Sequence, residues 1–405
     1  MENMIDKKIW ILDNTVLKYP WGSLSAIPDL LGRSPSGEPQ AELWMGAHPK
    51  APSRIRMDGE QVPLNRAIER FPEGILGERV AAAFSGRLPF LFKVLAAAAP
   101  LSIQAHPDRR QAAAGFQAEN RACTPLDAPN RNYRDGNHKP ECICALTSFW
   151  GLCGFRAVAD IAVRLEALCP RTLALEIGRL REGRSSDVLK KLYESLLTFP
   201  MTQKRAILHE AIQNIRSRMS DSPVFRWIVA LHKAYPDDIA AISPALLNLF
   251  CLAPGQALYL PAGELHAYLD GVGLELMANS DNVLRGGLTA KHVDVGELMK
   301  ILKATSRTLE VLRPEMISED EGVYRTNVRE FLLSVISVTT LSDRIRKAVD
   351  GVEILLCTEG DVHIKTEGIR EETVLTKGVS VLIPGGIGAY ELRGRGRIYR
   401  ASVPL

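Results

Sequence analysis

The sequence predicts a mainly β protein with an α-helical insertion: two antiparallel β-barrels of the jelly-roll type plus a helical domain. Three observations carry this reading. Residues 1–155, and again the chain from Ala253 onward, consist of short apolar runs cut by Pro and Gly turn signals. Between residues 156 and 247 the apolar spacing changes to three and four, the period of a helix buried on one face. Residues 255–268 and 378–390 repeat one pattern: glycine, apolar strand, proline, any residue, glycine, second strand. Two such units suit two related barrels closed by tight corners.

In chain order, residues 1–10 carry mixed charge and no signal-peptide core. Turns are expected at Pro20-Trp21-Gly22, Pro35-Ser36-Gly37 and Asp58-Gly59, with Trp21, Trp44 and Met45 in the core. A short helical segment, 64–84, interrupts the strands. The apolar run 88–99 leads into Leu101-Ser102-Ile103-Gln104-Ala105-His106-Pro107-Asp108, read as the end of one buried strand. Pro107 has no N–H to pair and stops it. Helical stretches are expected at 158–198, 203–219 and 223–235, with stripes such as Ile161, Leu165 and Leu168, and with Pro170, Pro200 and Pro223 at boundaries. A further helix is expected at 295–305, and residues 320–405 return to short strands. These textures divide the chain at 1–155, 156–247, 248–310 and 311–405, the first and third parts forming one barrel.

A chain of 405 residues is long enough for two or three domains. Its net charge of +3 gives no bulk attraction to nucleic acid. No apolar run approaches the roughly 20 residues that span a bilayer. A soluble, cytoplasmic protein is expected. The seven cysteines include no Cys-x-x-Cys pair, so neither a disulfide framework nor a thiolate zinc site is indicated. Cys142 and Cys144 read as buried thiols.

Gln104 and His106 lie two residues apart and share one face of a strand. A lone histidine on a strand is more often a hydrogen-bonded residue than a ligand, because metal ligands come in clusters. The rest of the chain supplies a cluster. In Tyr133-Arg134-Asp135-Gly136-Asn137-His138-Lys139-Pro140-Glu141, Pro140 biases Lys139 toward an extended backbone. Lys139 and Glu141 then share one face, and His138 takes the other. Glu141 with Gln104, His106 and His266 makes a set of two nitrogens and two oxygens. One carboxylate leaves a divalent ion net positive and still a Lewis acid. In the second copy of the repeat, Ala389 stands where the first has His266, so the fold itself does not require that histidine. Downstream lie Arg285 and Lys291. Taken alone, Arg-Gly-Gly is an ordinary polar loop. With Lys93 and Lys139 it suggests a cationic pocket for a phosphate dianion. Glu42, within an apolar stretch, is either a site residue or an exposed strand position. Two rival readings share these features: a non-haem iron oxygenase with two histidines and a carboxylate, against which stand the Gln ligand and the cluster of cations, and a non-catalytic phosphate-ligand-binding or regulatory protein, against which stand intact Lys139, Glu141, His266 and Arg285.

Residues 133–141 and 266–291 resemble, nearly position for position, two signature stretches of the type I mannose-6-phosphate isomerase family. Residues 41–49, 89–93 and 102–108 are similar to that family too. Gly286 and Ala290 depart from its pattern, where alanine and proline are usual. The resemblance implies two cupin-like barrels, the C-terminal one lacking metal ligands. It implies one Zn²⁺ per subunit held by Gln104, His106, Glu141 and His266. The implied reaction interconverts mannose 6-phosphate and fructose 6-phosphate through an enediolate, feeding mannose and GDP-mannose metabolism. Arg285 is then catalytic, with Lys139, His138 and Glu275 as candidates for moving the proton. Lys93, Ser102, Lys291, Asp281 and Glu42 are the candidate substrate contacts. The expected partner is a small-molecule sugar phosphate, with no nucleic acid and no membrane, and the expected state is a monomer.

Overall fold

Apolar and alternating runs form strands, and every pairing between named strands is antiparallel in the two large sheets of this computed structural model. It describes residues 8–183, 187–339, 345–366, 368 and 372–405; of the mixed-charge stretch 1–10, residues 1–7 lie outside the described residues. Among the described residues one sheet has eleven strands and the other nine, with a two-stranded ribbon, Arg54–Met57 and Glu60–Pro63, beside them. The molecule is thus mostly β, with helices added.

The eleven-stranded sheet is organised by His266–Ala278. Its first part pairs with Ile103–Ala105 and Phe149–Phe155, and its second with Phe90–Ala97 and Glu141–Ala145. The partners change beside Gly271. There φ is +120°, and a Cβ would sit 2.5 Å from the Ser148 carbonyl oxygen, so only glycine makes the bend. Curling the sheet there brings the starts of Glu141–Ala145 and His266–Ala278 toward the end of Ile103–Ala105.

The expected long strand through Gln104 is in fact two. Phe90–Ala97 ends, the chain turns, and Ile103–Ala105 pairs elsewhere, with His266–Ala278 and Leu284–Gly287. Pro100 lacks the N–H that would have carried the ladder onward. A helix the sequence reading did not anticipate follows, Arg109–Arg121. Asp108 caps it and Gln111 closes a reciprocal capping box. Residues 64–84 form three short helices, Leu64–Arg70, Pro72–Leu76 and Glu78–Ala83.

The insertion is helical as expected. Val158–Leu168, Ala174–Glu182, Val188–Thr198, Met201–Ile215 and Pro223–Ala234 bury Ile161, Leu165, Leu168, Leu189, Leu192 and Leu196 in one core. The strands on either side of it, Phe149–Phe155 and Leu247–Leu252, pair with each other, so the excursion leaves and rejoins the sheet at one place. The 295–305 expectation is met by Val295–Ile301.

The nine-stranded sheet comes from the last part of the chain. Two of its strands, Glu353–Thr366 and Ala389–Ser402, are fourteen residues each, longer than the short strands expected. Trp10–Ile11 joins this sheet by pairing with Leu382 and Val381. The two sheets share a core in which Trp10, Phe92, Leu274, Tyr324, Leu333 and Tyr399 are buried together. Among the described residues, no helix is long and apolar enough to cross a membrane.

Candidate metal centre and substrate cleft

Glu141 and His266 each open a strand, and His106 directly follows Ile103–Ala105. Nε2 of His106 lies 3.4 Å from Glu141 Oε1, and Nε2 of His266 lies 3.2 Å from Oε2. The ligand atoms of the three residues fall within 4.8 Å of one another, and each residue is only 1% exposed. Both imidazoles are oriented from behind. Nδ1 of His106 donates to the Asn282 carbonyl at 2.7 Å, and Nδ1 of His266 donates to the Glu264 carbonyl at 3.0 Å. That fixes the tautomer and leaves each Nε2 with a lone pair. His106 Nε2, His266 Nε2 and Glu141 Oε2 are buried atoms that make no hydrogen bond. Orphaned acceptors are costly, and two imidazole nitrogens with a carboxylate oxygen suit Zn²⁺. Gln104 lies directly opposite His266 on one side and Arg285 on the other. Directly paired residues project from the same face, so Gln104 and Arg285 flank the ligand set.

Lys139 Nζ sits 3.0 Å from Glu141 Oε1, and both side chains are buried. Burial opposes ionisation of Glu141, but the Lys139 ammonium outweighs it and holds the carboxyl well below its usual range. Burial first, and then the charge of Lys139, push the His106 imidazole down to about 4. It is therefore neutral and ready to ligate at neutral pH.

Lys93 is buried between two carboxylates, 2.7 Å from Glu275 and 3.6 Å from Glu42. Burial alone would lower the ammonium; Glu275 and Glu42 together raise it instead. Tyr268 Oη donates to Glu275 at 2.9 Å and Trp44 Nε1 donates to Glu42 at 2.9 Å. Glu42 is thus a buried, engaged carboxylate rather than an exposed strand position.

Arg285 and Lys291 form a cationic group with Arg134. Burial, then repulsion from Arg134, lowers Arg285; burial, then Arg285 and Arg134, lowers Lys291. Like charges held together gain from a shared dianion. The backbone beneath them is stapled by Asn282, which is fully buried. Its Oδ1 accepts from the N–H groups of Arg134 and Asp135, and its Nδ2 donates to the carbonyls of Asp135 and Asn137. Gly287, with φ +131° and a Cβ position 2.3 Å from Ala240 Cβ, lets the arginine strand turn away.

A cleft of about 1200 Å³ is lined by His48, Lys50, Arg134, His138, Asp281 and Glu330, among others. Asp281 is paired with Lys50 at 2.8 Å and with His48 at 3.5 Å. His138 lies on the cleft wall outside any strand, with Nε2 2.9 Å from Glu330. Ser102 is half-buried in the turn before Ile103–Ala105. Sequence reasoning had assigned no role to Arg134, Tyr268, Asn282 or Glu330.

Comparisons with known proteins agree with this arrangement. Residues 9–158 match the family model of the phosphomannose isomerase type I catalytic domain. The mannose-6-phosphate isomerase of Salmonella typhimurium is 40% identical over 392 residues, covering 96% of this chain and 98% of that protein.

The chain belongs to the type I mannose-6-phosphate isomerase family.

The human mannose-6-phosphate isomerase is 32% identical, with 93% of each chain covered. The crystal structure of the Salmonella typhimurium enzyme with fructose 6-phosphate and zinc superposes with a TM-score of 0.91 at 38% identity, covering 98% of this chain and all of that one. One departure from the usual pattern of type I mannose-6-phosphate isomerases has a local cause. An alanine Cβ at Gly286 would fall 2.8 Å from Tyr193 Oη and 3.1 Å from Leu265 Cδ2. Tyr193 instead donates to the Gly286 carbonyl at 2.9 Å. Nothing in the structure explains Ala290.

Proposed function

We propose that the chain is a zinc-dependent aldose–ketose isomerase interconverting D-mannose 6-phosphate and D-fructose 6-phosphate through an enediolate. The observation that carries this is the buried trio of His106, Glu141 and His266, with three unpaired acceptor atoms and Lys139 3.0 Å from Glu141. These residues, with Gln104, would hold one zinc ion per chain. Bound zinc supplies a Lewis acid beside the sugar oxygens. Lys139, buried against the ligand carboxylate, moves the proton between C1 and C2: as the neutral amine its nitrogen lone pair takes the proton from one carbon, and the ammonium so formed returns it to the other. Arg285, on the same face as Gln104, stabilises the negative charge that develops on the oxygens. His138, on the wall of the cleft, handles hydroxyl protons. Glu275, tied to Lys93 and Tyr268, orders the floor with Glu42. Lys291, with Arg134 and Arg285, receives the phosphate, while Lys93 and Ser102 are closer to the sugar. Asp281 sets the cleft wall.

This reading takes residues 1–155 and 248–310 as a catalytic cupin-like barrel, 156–247 as its helical insertion and 311–405 as a second barrel without ligands. It is supported by the repeat of Ala257–Leu260 and His266–Ala278 in Ser380–Ile383 and Ala389–Ser402, with Ala389 opening the second copy where His266 opens the first. The protein acts as a cytoplasmic monomer on a small sugar phosphate.

The test is an isomerase assay with and without a chelator. Activity on mannose 6-phosphate should vanish on metal removal and return with zinc; full turnover by metal-free protein would overturn the proposal. His266→Ala should lower zinc occupancy. Arg285→Ala should reduce kcat severely with zinc still bound.

A further inference from the structure

A carboxylate from the last part of the chain reaches back to the cleft. Glu330 lies between the strands Glu321–Tyr324 and Leu332–Val338, far in sequence from every residue assigned above, and is 4% exposed. Its Oε1 is 2.9 Å from His138 Nε2, 2.6 Å from Arg109 Nη2 and 3.8 Å from Arg329 Nε. Arg109 Nη2 is itself 3.2 Å from His138 Nε2. Burial would raise this carboxyl, but the His138 hydrogen bond and the charges around it hold it below the usual range. An ionised carboxylate only accepts, so the shorter 2.9 Å contact makes Nε2 the protonated nitrogen of the imidazole; Arg109 Nη2, which also only donates, then gives its hydrogen bond to Glu330 and merely adjoins Nε2. Nδ1 then carries the lone pair, and it meets no hydrogen-bond partner among the described residues. Both His138 and Glu330 line the cleft with Arg134 and Asp281, and His138 directly precedes Lys139.

We infer that Glu330 is a positioning residue that locks His138 in the tautomer with its Nδ1 lone pair available to a sugar hydroxyl. The inference rests on the proton-handling role given to His138 above. In the step it supports, a hydroxyl proton of the sugar moves to Nδ1 while the O–H electron pair stays on oxygen. The imidazolium keeps its Nε2–H bond to Glu330, and Nδ1 later returns the proton to a sugar oxygen, so nothing is gained or lost over a turnover. A carboxylate behind an imidazole is a familiar way to fix its tautomer and orientation. A simple structural tie needs only the Arg109–Glu330 pair. Here the imidazole is brought to the same oxygen.

The experiment is a double-mutant cycle on the full-length zinc enzyme with Glu330→Gln, His138→Asn and the pair. Carboxylates that orient metal-bound histidines are worth roughly 10- to 100-fold, and a drop of that order in kcat is expected for Glu330→Gln. KM should move by less than about threefold, with zinc content unchanged. The double variant should be no slower than His138→Asn alone. If the two losses multiply, Glu330 acts independently of His138 and the inference is wrong. It is also wrong if Glu330→Gln turns over normally while His138→Asn is slow; His138 then keeps its role. Normal turnover by His138→Asn removes the role of His138 itself and the inference with it. If Glu330→Gln does not fold, Glu330→Asp, which keeps the charge but withdraws it from the imidazole, replaces it with the same expected outcomes.

Discussion

Lys139 is packed against the metal ligands. Its ammonium is buried and 3.0 Å from Glu141, where it offsets the negative charge of the ligand carboxylate; the proton transfer proposed for it falls to its neutral amine form. Lys139→Ala should therefore lower kcat roughly 10²- to 10⁴-fold, the usual scale for a lost general base. Zinc should stay bound, because both imidazoles keep their orienting carbonyls; a metal assay on the purified variant checks this. His106 gives a pH prediction. Its imidazole sits at about 4 in the fold, below the ordinary 6.5. Between those values the unfolded chain binds a proton that the folded chain refuses, so falling pH weakens the fold in that window. The urea midpoint of metal-free protein should drop from pH 6.5 to 4, and drop less in His106→Gln. At this scale the sequence exposed most of the metal set, because His106, Glu141 and His266 sit in short patterned stretches whose alternation fixes their faces. Glu330 and Asn282 were invisible for the opposite reason. Their roles depend on partners nearly 200 and 150 positions away, and nothing local marks them.

Helices and strands were legible where periodicity was strong. The insertion's stripes at Ile161, Leu165 and Leu168 became a buried core. Arg109–Arg121 was missed because it buries little beyond Ala112, leaving its Asp108–Gln111 capping box as the one local cue. The strand through Gln104 was read as too long because the weight went to Pro107 and not to Pro100. The insertion touches the site through Val188–Thr198, whose Tyr193 donates to the Gly286 carbonyl next to Arg285. Tyr193→Phe leaves that carbonyl unpaired in a buried place and should cost about 1–2 kcal/mol in urea unfolding. Gly287→Ala should do more damage, since its φ is +131° and Ala240 already fills the space. Displacing the arginine strand this way should lower kcat along with stability, read from an assay and a melt of one preparation.

Taken whole, the two sheets are not separable bodies. Phe92 and Leu274 of one sheet pack in a single core with Tyr324, Leu333 and Tyr399 of the other, and Tyr324 Oη donates to the Gly255 carbonyl at 2.8 Å. Calorimetry should therefore show one cooperative transition. A chain cut after residue 310 should aggregate, because it bares that apolar face. The repeat made two β units legible, but not that the two sheets would share an interior, since an alternating pattern tells which face is buried and not what covers it.

Trp10 and Ile11 hydrogen-bond to a strand that is synthesised among the last of the chain. On the ribosome Trp10 and Ile11 therefore lack their strand partners until the chain has been made past Leu382. A probe on Trp10 would report on Ser380–Ile383 as well, although the two stretches lie far apart in sequence.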